Sequence, residues 1–154
     1  MWVVLKNYTL YHPSGLYHHN KMKLNIRRLN KKDLSIAKQW WKAWPEWTAP
    51  ADDFLPETGI VVEKNNKPLV IGFIYLTNAK VALLEWIISD PNYRGKDREQ
   101  AIELLISGAE NMIKHLKYKY VFSVCRHKKL IDKHKKLGWH IDKKPSHELV
   151  KILN

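Results

Sequence analysis

The sequence predicts an α+β protein: a mixed, mostly antiparallel sheet with helices on its faces. Three observations carry this. First, Ile60–Glu63, Leu69–Leu76 and Val81–Ile88 are short apolar runs separated by only a few residues, which makes a meander. Second, an Ala/Ile/Leu-rich helix and then the apolar run Tyr120–Cys125 follow the third of these runs. A strand, helix, strand order of this kind requires a parallel pair and a right-handed crossover. Third, the 154 residues are 45% hydrophobic, which is enough for one domain with a sizeable core.

Residues 1–21 read as an N-terminal extension, and residues 22–154 as one domain. Trp2–Leu5 suits a short strand, and the stretch Tyr8–Asn20 has no period. Leu24–Leu29 alternates apolar and polar residues, as a half-buried strand does. Asn30 with Asp33 makes a capping box for a helix over Lys31–Trp44, with Leu34, Ala37, Trp41 and Trp44 on its apolar stripe and Trp40 off it. Pro45 ends that helix, and Glu46–Thr58 is irregular, broken by Pro50 and Pro56. Asn65-Asn66 predicts a tight hairpin turn.

The next helix runs over Asp97–Leu116, with Ala101, Leu105, Ala109, Met112 and Leu116 at helical spacing. Lys128–Leu137 predicts a short basic helix closed by Gly138. Trp139–Asp142 and Glu148–Leu153 read as two last strands joined by a turn.

Charge is the unusual feature. Lys and Arg number 27 against 15 Asp and Glu, a formal net charge of +12. That favours polyanionic partners: nucleic acid, a phosphate-rich cofactor or an acidic protein. Solvated lysine-rich faces account for the same number equally well. No apolar run approaches the ~20 residues of a membrane span. The N-terminus lacks the apolar core of a secretory signal. The single cysteine, Cys125, excludes an internal disulfide, so a cytoplasmic setting is expected. Among the eight histidines no metal-ligand spacing stands out, and no metal is expected.

The turn Ser89-Asp90-Pro91-Asn92-Tyr93-Arg94-Gly95-Lys96 joins an apolar strand to a helix N-terminus. There, unsatisfied N–H groups and the helix dipole favour an anion. This turn and the helix after it resemble the GNAT acyltransferase superfamily. So does Leu130-Ile131-Asp132-Lys133-His134-Lys135-Lys136-Leu137-Gly138-Trp139, which is similar to that family's short helix ending in Leu-Gly-aromatic. The tracts Leu55–Gly59 and Gly72–Asn78 resemble small, often phage-encoded, GNAT-like proteins. The resemblance covers roughly Leu24–Leu153 and implies a GNAT-like sheet.

It also implies transfer of an acyl group from acetyl-CoA, or another acyl-CoA, to a primary amine on a small molecule or a macromolecule. Membrane partners are not expected, and the protein would be a monomer or homodimer in the cytoplasm, the host's if phage-encoded. In the family, the turn cradles the cofactor pyrophosphate and a bulge at the end of the fourth strand donates to the oxyanion. The matching residues here are Ile87, Ile88 and Ser89 at the bulge, then Arg94, Gly95, Lys96 and Arg98. His127 matches an Asn that contacts the cofactor arm, and His134 a Tyr that protonates the leaving thiolate. Imidazolium can perform that protonation; a solvated His among lysines is the plainer reading.

The departures from the family pattern are Asp97 and Glu99, where it has small residues. A carboxylate there adds bulk and like charge. Asp97 also suits an N-cap, with Gln100 completing a box, and Lys96 and Arg98 can compensate through side-chain contacts to phosphate.

Glu85 is a lone carboxylate inside an apolar strand. Burial would raise its pKa toward a general base's range; an exposed strand face, or a basic neighbour, is the alternative. Trp40 and Trp47, with Tyr75 and Asn78, are the acceptor-side candidates, since aromatic walls suit an amine cation. Two other readings remain open. One is a nucleic-acid-modifying enzyme like the phage Mom branch, which resembles GNAT proteins. The other is a basic binding module without catalysis.

Overall fold

The computed structural model describes residues 23–153, so the expected extension lies outside the described residues. Within these residues the chain forms two compact units, one ending at Val124 and the other starting at Cys125.

The first unit is a five-stranded sheet in sequence order. Its strands are β1 (Leu24–Arg28), β2 (Gly59–Lys64), β3 (Lys67–Leu76), β4 (Val81–Ser89) and β5 (Tyr120–Phe122). Neighbours from β1 to β4 are antiparallel, and β5 is parallel to β4. Helix α1 (Lys31–Ala43) follows β1, and α2 (Arg98–His115) joins β4 to β5. The mixed, mostly antiparallel sheet is thus as expected.

Local chemistry sets several of these elements. Asn30 accepts from Lys32 N–H at 3.0 Å and the Asp33 carboxylate accepts from Asn30 N–H at 2.7 Å, so the capping box forms. Asp33, 1% exposed, also accepts from both terminal guanidinium nitrogens of Arg27 at 2.8 Å, which pins α1 to β1. Asn65 and Asn66 turn the β2–β3 hairpin with φ of 51° and 61°, the left-handed region that Asn tolerates.

The two faces of the sheet carry separate cores. On one, Val61, Ile71, Phe73 and Ile88 pack with Ala37, Trp40 and Trp41 of α1. On the other, Ile26 and Ile60 close on Gly108 of α2, and Leu84 and Leu105 close on Gly72. Covered on both sides, β2 and β3 read as continuous apolar runs rather than alternating ones.

Trp40 corrects the expectation. Expected off the apolar stripe, it is 8% exposed and sits in the core. The true stripe is Ala37, Trp40, Trp41 and Trp44, the i, i+3, i+4, i+7 pattern of a wide apolar face.

The second unit holds α3 (Lys128–Lys136), closed by Gly138 at φ 90°. The two strands expected at Trp139–Asp142 and Glu148–Leu153 are absent among the described residues. Leu149, Val150, Ile152 and Leu153 fall as adjacent pairs rather than alternating, so no single strand face can bury them. They are 73–91% exposed.

Candidate active site

The site is built on β4. β5 pairs with it only over Val81–Leu83, so β4 from Leu84 onward runs without a β5 partner. Where the strands part, the Glu85 carboxylate accepts the Val124 N–H at 2.8 Å. Glu85 is half-buried and stands opposite Phe73, on the α1 face.

One step further the β3–β4 ladder breaks. Phe73 pairs with Glu85 and Ile71 with Ile88, so Trp86 and Ile87 both stand against Gly72. This is a β-bulge. Trp86 has φ 56°, a conformation that costs a bulky residue about 1–3 kcal/mol and persists only where the surroundings impose it. Its indole is held on three sides. Nε1 donates to the Tyr75 hydroxyl at 2.9 Å, and the ring meets Trp41 and Phe54 edge-on at 6.3 and 6.0 Å. Gly72 sits tightly beneath the bulge: a Cβ there would stand 2.9 Å from Leu105 Cδ2, so the leucine would have to shift.

The Tyr75 hydroxyl is fully engaged, donating to the Phe54 carbonyl at 2.7 Å as well. Burial, first, and the nearby Glu85 charge push its pKa up, against the Trp86 hydrogen bond. It is therefore a neutral wall. Trp47 is partly buried against the α1 core. Asn78 is exposed in the β3–β4 hairpin, beside a shallow cavity of about 280 Å³ shared with Leu116 and Tyr118. That is the end of β4 away from the bulge, so Asn78 is not brought to Glu85.

The turn after β4 ends differently from an open phosphate cradle. Asp97, 2% exposed, precedes α2 but makes no capping hydrogen bond, so the expected box with Gln100 does not form. Its carboxylate instead takes Lys64 Nζ from β2 at 2.8 Å and the Tyr93 hydroxyl in a short hydrogen bond. Gly95 is closed over by the same groups: a Cβ there would lie 2.2 Å from the Tyr93 hydroxyl and 2.7 Å from Asp97 Oδ1. Arg98 turns inward, to Ser89 Oγ at 2.8 Å and the Tyr93 carbonyl at 3.3 Å, and lies 5.3 Å over the Trp44 ring. Trp44 Nε1 donates to the Ser89 carbonyl at 3.1 Å. Only Arg94 and Lys96 of the expected cationic residues are exposed.

The bulge and the edge of β4 beyond its pairing with β5 are where a thioester and its arm would be held. The turn, filled by its own carboxylate, does not fit a diphosphate at the helix N-terminus. Sequence reasoning found Asp97 but missed Lys64 and Tyr93; the one available signal was a Tyr four residues before the Asp.

Burial alone would raise the Asp97 carboxyl, but Lys64 and Tyr93 together outweigh it and hold its pKa below the ordinary range. The Asp97 hydrogen bond raises both Lys64 and Tyr93. A depressed acid stabilises above its unfolded pKa, and that contribution disappears as pH falls through the folded one. The raised Lys64 and Tyr93 stabilise below their unfolded values and lose that contribution at alkaline pH. Asp97→Asn is therefore expected to flatten the acid limb of melting temperature against pH below about 4. An acid limb as steep as the wild type's would show that this network is not the source.

In the second unit, His134 is 3% exposed, with Nδ1 2.7 Å from the Leu130 carbonyl and its ring edge-on to Trp139 at 4.7 Å. Burial pushes its pKa down, against the Leu130 hydrogen bond. The ring is buried rather than solvated, and the imidazolium that an acid role needs is disfavoured. His127 is exposed at the start of α3. Among the described residues no group of three or more His, Cys, Asp or Glu is placed to hold a metal ion. None of their helices is long and apolar enough to cross a membrane.

The architecture is the GNAT fold, and solved structures share it over most of the chain. A GCN5-related N-acetyltransferase from Ralstonia eutropha JMP134 matches at TM-score 0.62 and 17% identity, over 82% of this chain and 98% of that one. An aminoglycoside acetyltransferase from an uncultured soil metagenomic sample, in complex with trehalose, matches at 0.61 and 15%, over 84% and 97%. AAC(6')-Iy in complex with the bisubstrate analogue CoA-S-monomethyl-acetylneamine matches at 0.58 and 16%, over 84% and 99%. No protein-family model and no curated protein matches the chain.

Proposed function

We propose that the protein is a cytoplasmic N-acyltransferase that moves an acetyl group from acetyl-CoA, or another acyl-CoA, to a primary amine. The observation that carries this reading is β4 itself: a strained bulge at Trp86-Ile87, beside a half-buried carboxylate, on a strand that parts from β5 at Leu83.

The donor supplies an activated thioester carbonyl. Glu85 accepts the proton that the acceptor's ammonium must lose, directly or through water, before nitrogen can attack. Its hydrogen bond from Val124 fixes the carboxylate's position. Backbone at Ile87, taken out of regular pairing by the bulge, and at Ile88 beside it, which pairs with Ile71, offers N–H donors to the developing oxyanion. Trp86 and Tyr75, with Trp47 nearby on the α1 side, give the acceptor an aromatic wall of the kind that suits an ammonium.

Thermal melting with acetyl-CoA tests the reading. A ligand at about 100 times its Kd stabilises by about 2.7 kcal/mol. For a chain of this length that is a rise of roughly 5–10 °C. No rise at millimolar acetyl-CoA would sink it.

The net charge of +12 favours nucleic acid as the macromolecule presenting the amine, or as the partner of a basic binding module. A steep fall of DNA or RNA affinity with salt is the mark of that second reading.

A further inference from the structure

We infer that Asp97 is a specificity-determining residue: it occupies the anion position at the start of α2 with the chain's own carboxylate, so an acyl donor is held by its thioester arm and not by its phosphates. This rests on the acyltransferase reading above and goes beyond it, because it states which part of the donor is recognised.

A helix N-terminus flanked by cations attracts an anion. Here that attraction is satisfied internally. Asp97 is 2% exposed and spends no hydrogen bond on capping α2, so its role is not that of an ordinary N-cap. The two donors best placed to receive a phosphate oxygen, Lys64 Nζ and the Tyr93 hydroxyl, both end on Asp97.

Lys64 comes from β2, at the other side of two strands' worth of chain, and its side chain is only 20% exposed. It therefore approaches the turn from within the first unit. Arg98, the next cation, is committed to Ser89, the Tyr93 carbonyl and the face of Trp44. The Tyr93 hydroxyl and Asp97 Oδ1 fill the space on the Cβ side of Gly95. Of the turn's own cations Arg94 and Lys96 are exposed, and exposed ion pairs contribute little in salt.

A diphosphate would have to expel a paired, buried carboxylate of its own charge, whereas Lys64, Tyr93 and Asp97 bond one another and the network meets β4 at Ser89, through Arg98, past the bulge. The arrangement thus selects the pantetheine end of a donor and is indifferent to what lies beyond it.

The test is calorimetric titration of the full chain with acetyl-CoA and with S-acetylpantetheine, which lacks every phosphate, at ~0.15 M salt. The wild type is expected to bind the two within about tenfold of each other. Asp97→Asn is expected to bind acetyl-CoA at least about tenfold tighter than the wild type, with S-acetylpantetheine unchanged. A wild-type preference for acetyl-CoA above about tenfold, or no gain in a folded Asp97→Asn, overturns the inference. The wild-type comparison stands even where the variant does not fold.

Absence of binding by both thioesters to both proteins removes the acyltransferase reading, and inorganic pyrophosphate then decides the inference separately. A rise in melting temperature of Asp97→Asn alone supports it. A rise in the wild type, or in neither protein, overturns it.

Discussion

Trp41→Ala is expected to lower stability by about 3–5 kcal/mol, the range for removing a large aromatic from a packed core. The expected readout is a lower urea midpoint at an unchanged slope, since the loss is of packing and not of compactness. Trp41 is 2% exposed, stacks on Phe73 at 6.0 Å, and meets Trp86 edge-on at 6.3 Å. It therefore fills the space between α1 and β3, and it is one of the supports under a strained residue of the bulge. The neighbouring truncation Trp47→Ala, at a partly buried position, is expected to cost clearly less. Equal losses at the two positions would mean that α1 is not anchored where the core lies.

How far the sequence was legible follows from the range of each interaction. The capping box at Asn30 and Asp33, the Asn65-Asn66 turn and the Gly138 cap are formed by neighbours in the chain, and their residue types declared them. The periodicity of α2 was legible because one face of it is buried along its length. Even there the second role of Asp33, its ion pair with Arg27, was invisible, because it joins a helix to the preceding strand.

The site was legible only in outline. The run Val81–Ile88 marked the strand, and Glu85 stood out in it, but nothing local states that Trp86 takes a positive φ. That conformation is imposed by Trp41, Phe54 and Tyr75, which lie 11 to 45 positions away in the chain. Likewise Asp97 was readable as an anomaly in a phosphate-type turn, yet its meaning depends on Lys64 of β2. The two absent strands after Gly138 show the opposite failure. There, apolar composition suggested strands although the order of the residues could not give one buried face.

Glu85→Gln is expected to reduce kcat/KM for amine acetylation by about 10²–10⁴-fold, the usual contribution of a positioned general base. The substitution is chosen because a glutamine oxygen still accepts the Val124 N–H, so the parting of β4 and β5 keeps its geometry. Stability should then stay within about 0.5 kcal/mol of the wild type. A merely structural Glu85 would give the reverse pattern: lower stability, with the rate retained in the folded fraction. Release of free thiol from acetyl-CoA across a panel of amines measures the rate, and a variant within about threefold of the wild type would place the base elsewhere. The position makes the demand reasonable. Glu85 is the carboxylate on β4 at the point where that strand loses β5 and enters the bulge, so a proton leaving the acceptor there lies within reach of the carbonyl that the nitrogen must attack.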